Sequence, residues 1–248
     1  MRGLQQDSRP KDEGASLAEA HHQLRVVGER GAVRLDIALE LSAQWTVIFG
    51  PSGSGKSSVL RAACGLLPEL EVEFKRRAGD GWLDVAEVPV HRRQIAYAPQ
   101  GAAVFPHLSV RENVGFAGAA GTEVDDALAL FVLGAMRERS VKGLSGGEKQ
   151  RVSLARAFAV PGARLMLLDE PFTGVDRRMR DDLLLRMRDR AEAEGVPVVS
   201  VTHDVEEALL LDADVVRMDA GRVAGRGAAR LVLAEECARM RRVLGVEG

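Results

Sequence analysis

The spacing of apolar residues changes several times along the chain. In VRLDIALEL, Leu35, Ile37, Leu39 and Leu41 alternate with Asp36, Ala38 and Glu40, the period of a strand with one wet face. Three runs, WTVIFG, RLMLLDEP and VPVVSVTHD, are apolar almost without a break and read as strands buried on both faces. Shorter strands are predicted around 70–75, 82–84 and 94–97. Helical spacing governs KSSVLRAACG, stopped by Gly65, and RRMRDDLLLRMRDRAEAEG, stopped by Gly195. ADVVRMDAGRV predicts a hairpin that turns at Asp219 to Gly221. Asp204 and Glu207 have the spacing of a capping box opening VEEALLL. In the tail, Leu233, Cys237, Met240 and Leu244 recur at helical intervals, a stripe that predicts core packing.

Buried strands alternating with helices imply an α/β core with a mainly parallel sheet, and the alternating N-terminal strands add an antiparallel β part beside it. From about 101 to 160 the pattern becomes helical, in SVRENVGFAG, EVDDALALFVLGAM and GGEKQRVSLARAFAV, which predicts a helical subdomain. Residues 1–22 mix Pro, Gly, Ser and charge and are expected to form a flexible N-terminal extension, leaving 23–248 as the folded domain.

Composition narrows the field only modestly. Apolar residues make up 46% and charged residues 28%, ordinary for a soluble globular protein. A net charge of -2 offers no bulk attraction to nucleic acid or an anionic membrane. Cys64 and Cys237 lack a CxxC or Cys/His spacing and read as small buried hydrophobes in a reducing cytosol. The N-terminal stretch has no apolar core of a secretion signal, and no run approaches the ~20 apolar residues of a membrane span. Lysine occurs only at 11, 56, 75, 142 and 149, so its placement at 56 stands out.

GPSGSGKSS, Gly50 to Ser58, satisfies G-x-x-x-x-G-K-[ST] in full, between a buried strand and a helix. Gly50, Gly53 and Gly55 let the backbone wrap around phosphates, with Pro51, Ser52, Ser54 and Ser58 completing the loop. Lys56 then reaches the β- and γ-phosphates, and the Ser57 hydroxyl is a ligand for Mg²⁺. RLMLLDEP supplies Asp169 to hold Mg²⁺, through a water. Glu170, diverging from it along the strand, is the candidate general base. VTHD places His203 at the same sheet edge, where open α/β sheets bind ligands, to meet the γ-phosphate and the attacking water. IAYAPQ ends in Gln100, whose amide oxygen either meets Mg²⁺ or water or serves as a loop hydrogen bond. In LSGGEKQR, Ser145 and Glu148 form a predicted capping box around Gly146 and Gly147, a bare helix N-terminus suited to an anion.

These motifs stand in the order and about the spacing of ATP-binding cassette (ABC) ATPases. From roughly residue 24 to 226 the chain resembles an ABC transporter nucleotide-binding subunit, with LSGGEKQR the most diagnostic element. The resemblance implies a P-loop NTPase core that hydrolyses Mg-ATP in a head-to-tail dimer, either a homodimer or a pair with a related ABC subunit. It places Ser145, Gly146 and Gly147 on the γ-phosphate held at Lys56 of the opposite subunit, and Asp176 of TGVD at the dimer contact. The family commonly stacks an aromatic residue on adenine, but HQLRVVGERGAV has none. His21, His22, Val26 and Val27 are the alternatives, and loose base selectivity is expected.

VFPHLSVRENV resembles importer ATPases for small solutes, in which the helical lobe docks a separate integral membrane permease. Phe105 and Leu108 either make that contact or pack within the lobe. LVLAEECARMRRVLG and RLDIALEL are similar to the molybdate/sulfate branch. The implied place is the cytoplasm, on the inner face of the cell membrane, with no direct nucleic acid partner. The alternative, a soluble ABC ATPase acting on nucleic acid or ribosomes, would call for a split or doubled cassette, and neither pattern is present.

Overall fold

The computed structural model describes residues 21–244, so the expected extension at 1–22 lies, through residue 20, outside the described residues. The alternating N-terminal pattern becomes β1 (His22–Arg30) and β2 (Val33–Leu41), paired antiparallel so that Leu24, Val26, Leu35, Ile37, Leu39 and Leu41 are all buried. The first continuous apolar run is β3 (Trp45–Phe49), buried along its whole length, and it leads into α1 (Lys56–Ala63). Then come β4 (Glu71–Ala78), β5 (Gly81–Asp84) and β6 (Ile95–Ala98), matching the three short strands predicted there.

Between 101 and 160 the described residues form α2 (Val110–Gly115), α3 (Gly121–Leu130), two short 3₁₀ turns and α4 (Gly146–Phe158). The periodicity of EVDDALALFVLGAM predicts a helix reaching Met136, but α3 stops at Leu130. Phe131 and Leu133 are both fully buried, and the left-handed backbone of Val132 (φ 54°) turns the chain to seat them. Arg151 covers the freed carbonyls, donating Nη1 to Phe131 O and Val132 O at 2.9 Å each.

The remaining elements are β7 (Leu165–Asp169), α5 (Arg177–Glu194), β8 (Val198–Thr202), α6 (Val205–Leu210), β9 (Asp214–Asp219), β10 (Arg222–Ala228), α7 (Ala229–Val232) and α8 (Ala234–Leu244). The expected capping box at Asp204 forms only in part. Its carboxylate accepts from Glu206 N at 2.8 Å, while Glu207 turns inward and is buried. Of the tail stripe, Leu233 is fully buried, and Cys237 and Met240 pack against the core.

One ten-stranded sheet runs β5-β4-β1-β2-β10-β9-β3-β8-β7-β6. Strands β9, β3, β8, β7 and β6 pair parallel, and β5, β4, β1 and β2 form an antiparallel wing joined at β10. Alternate residues of the parallel strands serve two cores. Ile48, Leu165, Leu167 and Val201 pack with α1 and the wing, while Val47, Leu168 and Val198 pack with the helices of the other face. This double burial explains why these strands read as unbroken apolar runs. It also fixes four carboxyl ends side by side, those of β3, β8, β7 and β6.

Candidate functional site

Those four strand ends carry the chemistry. After β3 the chain turns through the loop 50–55. Gly50 has φ 157°, and a Cβ there would lie 2.2 Å from Met218 O, so only glycine fits. Lys56, 7% exposed, bends back over this loop and donates Nζ to Gly50 O and Pro51 O, both at 2.8 Å. Burial lowers its pKa, and the carboxylates of Glu170 and Asp169 act in the opposite direction. The ammonium is thereby held on two neutral carbonyls, which an anion can outbid.

Asp169 ends β7 with no exposed surface, and its Oδ1 accepts from the Ser57 hydroxyl at 2.7 Å. Burial raises its pKa, countered by the Ser57 bond and by Arg61. Its Oδ2 is buried without a hydrogen-bond partner. A buried carboxylate oxygen left open beside a hydroxyl is a donor set that suits a hard divalent cation, so these residues fit Mg²⁺. Glu170 follows in a left-handed backbone (φ 46°), rare for a side chain of its size. Its Oε1 stands 3.5 Å from Nδ1 of His203, an exposed imidazole just beyond β8.

A cavity of about 370 Å³ is lined by Ser52, Gly53, Gly55, Lys56, Ser57, Ser58, Gln100 and Glu170, and at its other end by Arg30, Val33 and Leu35. The sequence did not single out those last three. They flank the β1–β2 turn, across which Arg30 pairs with Val33, and no local motif marks them. Of the four positions weighed for adenine, none lines this cavity. His22 is buried with its ring 5.8 Å from Phe74 and its pKa pushed down to about 4 by burial, and Val26 packs in the core opposite Val72. A larger cavity of about 500 Å³, between α3, the end of α4 and the end of α5, gathers no comparable phosphate-binding loop.

Ser145, Gly146 and Gly147 do not line their own chain's cavity. Ser145 caps α4 in a full capping box, accepting from Glu148 N at 3.2 Å while its own N–H donates to Glu148 Oε2 at 2.7 Å. Ser145 and Gly146 are exposed. Gly147 answers a different demand, since a Cβ there would meet Gly174 O at 2.7 Å. Gln150, one turn further on and also missed as a site residue, is buried and donates Nε2 to Pro171 O at 2.9 Å, tying α4 to the acidic strand end. Asp176 is exposed and caps α5, accepting from Met179 N at 3.1 Å. Phe105 is held by Asn113, which bonds both its N–H and its carbonyl, and its ring lies 4.1 Å from that of Phe116.

A P-loop at the carboxyl edge of a parallel sheet, with its acidic neighbour strand, defines a P-loop nucleotide-binding fold. The chain belongs to the ABC transporter family, whose model matches residues 35–173. It is 38% identical over 227 residues to the molybdenum import ATP-binding protein ModC of Albidiferax ferrireducens, covering 88% of this chain and 61% of that one. It is 42% identical over 206 residues to the Fe(3+) ions import ATP-binding protein FbpC of Streptomyces avermitilis, covering 79% and 57%. The chain thus spans about three-fifths of the length of these curated relatives. Among solved structures, a post-hydrolysis dimer of an ATP-binding cassette bound to ADP and phosphate matches with a TM-score of 0.71 at 23% identity, over 84% of this chain and 99% of that one. A bacterial Atm1-family ABC exporter with ATP bound matches with a TM-score of 0.75 at 24% identity, over 98% and 45%. At these identities the two support the fold.

Proposed function

We propose that this chain is the ATP-hydrolysing subunit of an importer, working as a head-to-tail dimer beneath a separate permease on the cytoplasmic face of the membrane. The observation that carries the reading is the convergence of Lys56, Ser57, Asp169, Glu170 and His203 at one sheet edge, while Ser145, Gly146 and Gly147 at the N-terminus of α4 do not line that cavity. A site built in this way lacks one wall, and a second subunit supplies it.

In this reading the loop 50–58 cradles the phosphates, and Lys56 exchanges Gly50 O and Pro51 O for phosphate oxygens. Ser57, Asp169 and Gln100 would hold Mg²⁺, which would supply positive charge against the phosphates. Glu170 accepts a hydrogen bond from the attacking water and takes its proton as the water oxygen bonds to the γ-phosphorus. The bond from that phosphorus to the bridging oxygen breaks, leaving ADP and phosphate. His203 donates to the γ-phosphate and keeps Glu170 aimed. Ser145 and the N–H groups of Gly146 and Gly147 close on the same phosphate from the partner subunit, adding a helix N-terminus where negative charge is greatest. Hydrolysis removes that bridge and lets the dimer reopen.

For the solute, we favour molybdate or a related oxyanion. The reading rests on the relatives named for molybdenum import, and those named for iron and polyamine import are its competitors. Phe105 and its neighbours, fixed by Asn113, give the helical lobe a firm surface for the permease. The test of the dimer is sedimentation of Glu170→Gln in saturating Mg-ATP. The variant is expected to shift from monomer to dimer, and an unchanged profile refutes the shared site. Recovery of a permease and an oxyanion-binding protein with the chain from membranes tests the transport reading.

A further inference from the structure

His203 is 72% exposed at its side chain, and its Nδ1 stands 3.5 Å from Glu170 Oε1. A side chain so exposed takes its placement from its flanks. One flank is Thr202, the end of β8. The other is Asp204, which is held on three sides. Its N–H donates to Thr202 Oγ1 at 3.0 Å, its Oδ1 accepts from Glu206 N at 2.8 Å, and its Oδ2 accepts from Arg180 Nη1.

Arg180 lies in the first turn of α5 and is only 8% exposed. Its remaining donors are also committed, Nε to Asp181 Oδ1 and Nη2 to Glu206 Oε2, each at 2.9 Å. Its backbone N–H bonds Asp176 O at 2.9 Å. A single residue therefore joins the cap of α5 to the residue after His203. The planar five-donor fork of arginine suits this task, because it fixes direction as well as charge. An ammonium in the same place would supply charge alone.

We propose that Arg180 is a positioning residue for hydrolysis, which sets His203 against Glu170 by holding Asp204 and transmits the position of the Asp176 cap to that pair. This rests on the role of His203 given above. The consequence is directional. A partner subunit that presses on Asp176 moves the first turn of α5, and with it the loop that carries His203. ATP can bind without the clamp, since no atom of Arg180 lines the cavity, but the catalytic pair is then out of register.

Steady-state ATP hydrolysis and equilibrium ATP binding by the full chain test this. Arg180→Gln removes the fork. Asp204→Asn breaks the ion pair yet keeps a good helix cap, so it guards against simple loss of folding. Each is expected to lower kcat roughly 10- to 100-fold, the scale of a small misplacement of a reacting group. KM and the affinity for ATP are expected to stay within about twofold, since the binding groups are untouched. Arg180→Lys recovers part of the loss. In a His203→Ala background neither substitution costs more, because the group being positioned is gone. Unchanged kcat in Asp204→Asn, or losses that multiply with His203→Ala, overturns the inference and leaves Arg180 a structural residue. Wild-type turnover in His203→Ala by itself sinks the assignment of His203 instead, and the inference with it.

Discussion

The Ser57 hydroxyl donates to Asp169 Oδ1 at 2.7 Å, across 112 residues of chain. The bond registers the P-loop helix against the acidic strand and leaves the other carboxylate oxygen, Oδ2, open. Asp169→Asn keeps the size and an acceptor but loses the charge. It is expected to abolish the gain in ATP affinity that Mg²⁺ gives, while binding without metal persists. Titrations with and without Mg²⁺ check this, and a metal effect equal to that of the parent protein counts against the assignment.

Lys56 rests on two carbonyls and brings a positive charge to the loop 50–55. Lys56→Ala is expected to lower ATP turnover by roughly 100- to 1,000-fold or more, the range for removing one group that stabilises charge in the transition state. Turnover near that of the parent protein would remove the P-loop from the mechanism.

Ser145 is exposed, caps α4 and does not line its own chain's cavity. Ser145→Arg is expected to leave monomeric ATP binding intact and to stop hydrolysis, because in the proposed dimer the bulk would land between subunits. The cap itself is worth about 0.5–2 kcal/mol, so some fall in thermal stability accompanies it. Equal loss of binding and turnover would place Ser145 in its own chain's site.

Arg30 and Val33 line the same cavity as Lys56, and under the proposed function they are the wall that would receive the base. Arg30 is paired with Glu69, which limits its movement. Arg30→Ala is expected to weaken ATP binding about two- to fivefold, the value of one exposed cation–π contact. Arg30→Tyr is expected to restore it and to sharpen the preference for ATP over GTP. Competition binding with the two nucleotides measures both.

Glu207 is buried behind Thr202, and burial pushes its pKa up to about 7. In the unfolded chain it titrates near 4.5. Between those values the folded protein binds more protons than the unfolded one, so stability falls as pH rises from about 4.5 to 7 and then levels. Glu207→Gln is expected to remove that fall, raising stability at pH 8 by about 1–3 kcal/mol relative to the parent protein. The two proteins converge near pH 5. Denaturant unfolding at the two pH values is the check, and parallel behaviour refutes it.

The parallel strands were legible because burial on both faces leaves a short apolar run, and its length, β-branched residues and flanking Gly or Pro set it apart from a buried helix. WTVIFG and VPVVSVTHD became β3 and β8 with little adjustment. The capping box at Ser145 was legible because its spacing is local and complete. Long-range partnership was not. Nothing near Arg180 in the sequence announces Asp204, because the two meet only when α5 packs against α6, whose N-cap is Asp204. The end of α3 failed for a related reason, since the burial of Leu133 is decided by the fold around it. The cavity wall at Arg30 depends on how the hairpin turn lies over the P-loop, which no single stretch encodes.

Gly147 and Gly174 touch backbone to backbone, with no room for a methyl group between them. The head of α4 and the loop ending at Asp176 are therefore a single die, cut to fit whatever surface it meets. A neighbour cannot engage one without registering the other, and a chain that changed its partner would have to recut both edges together.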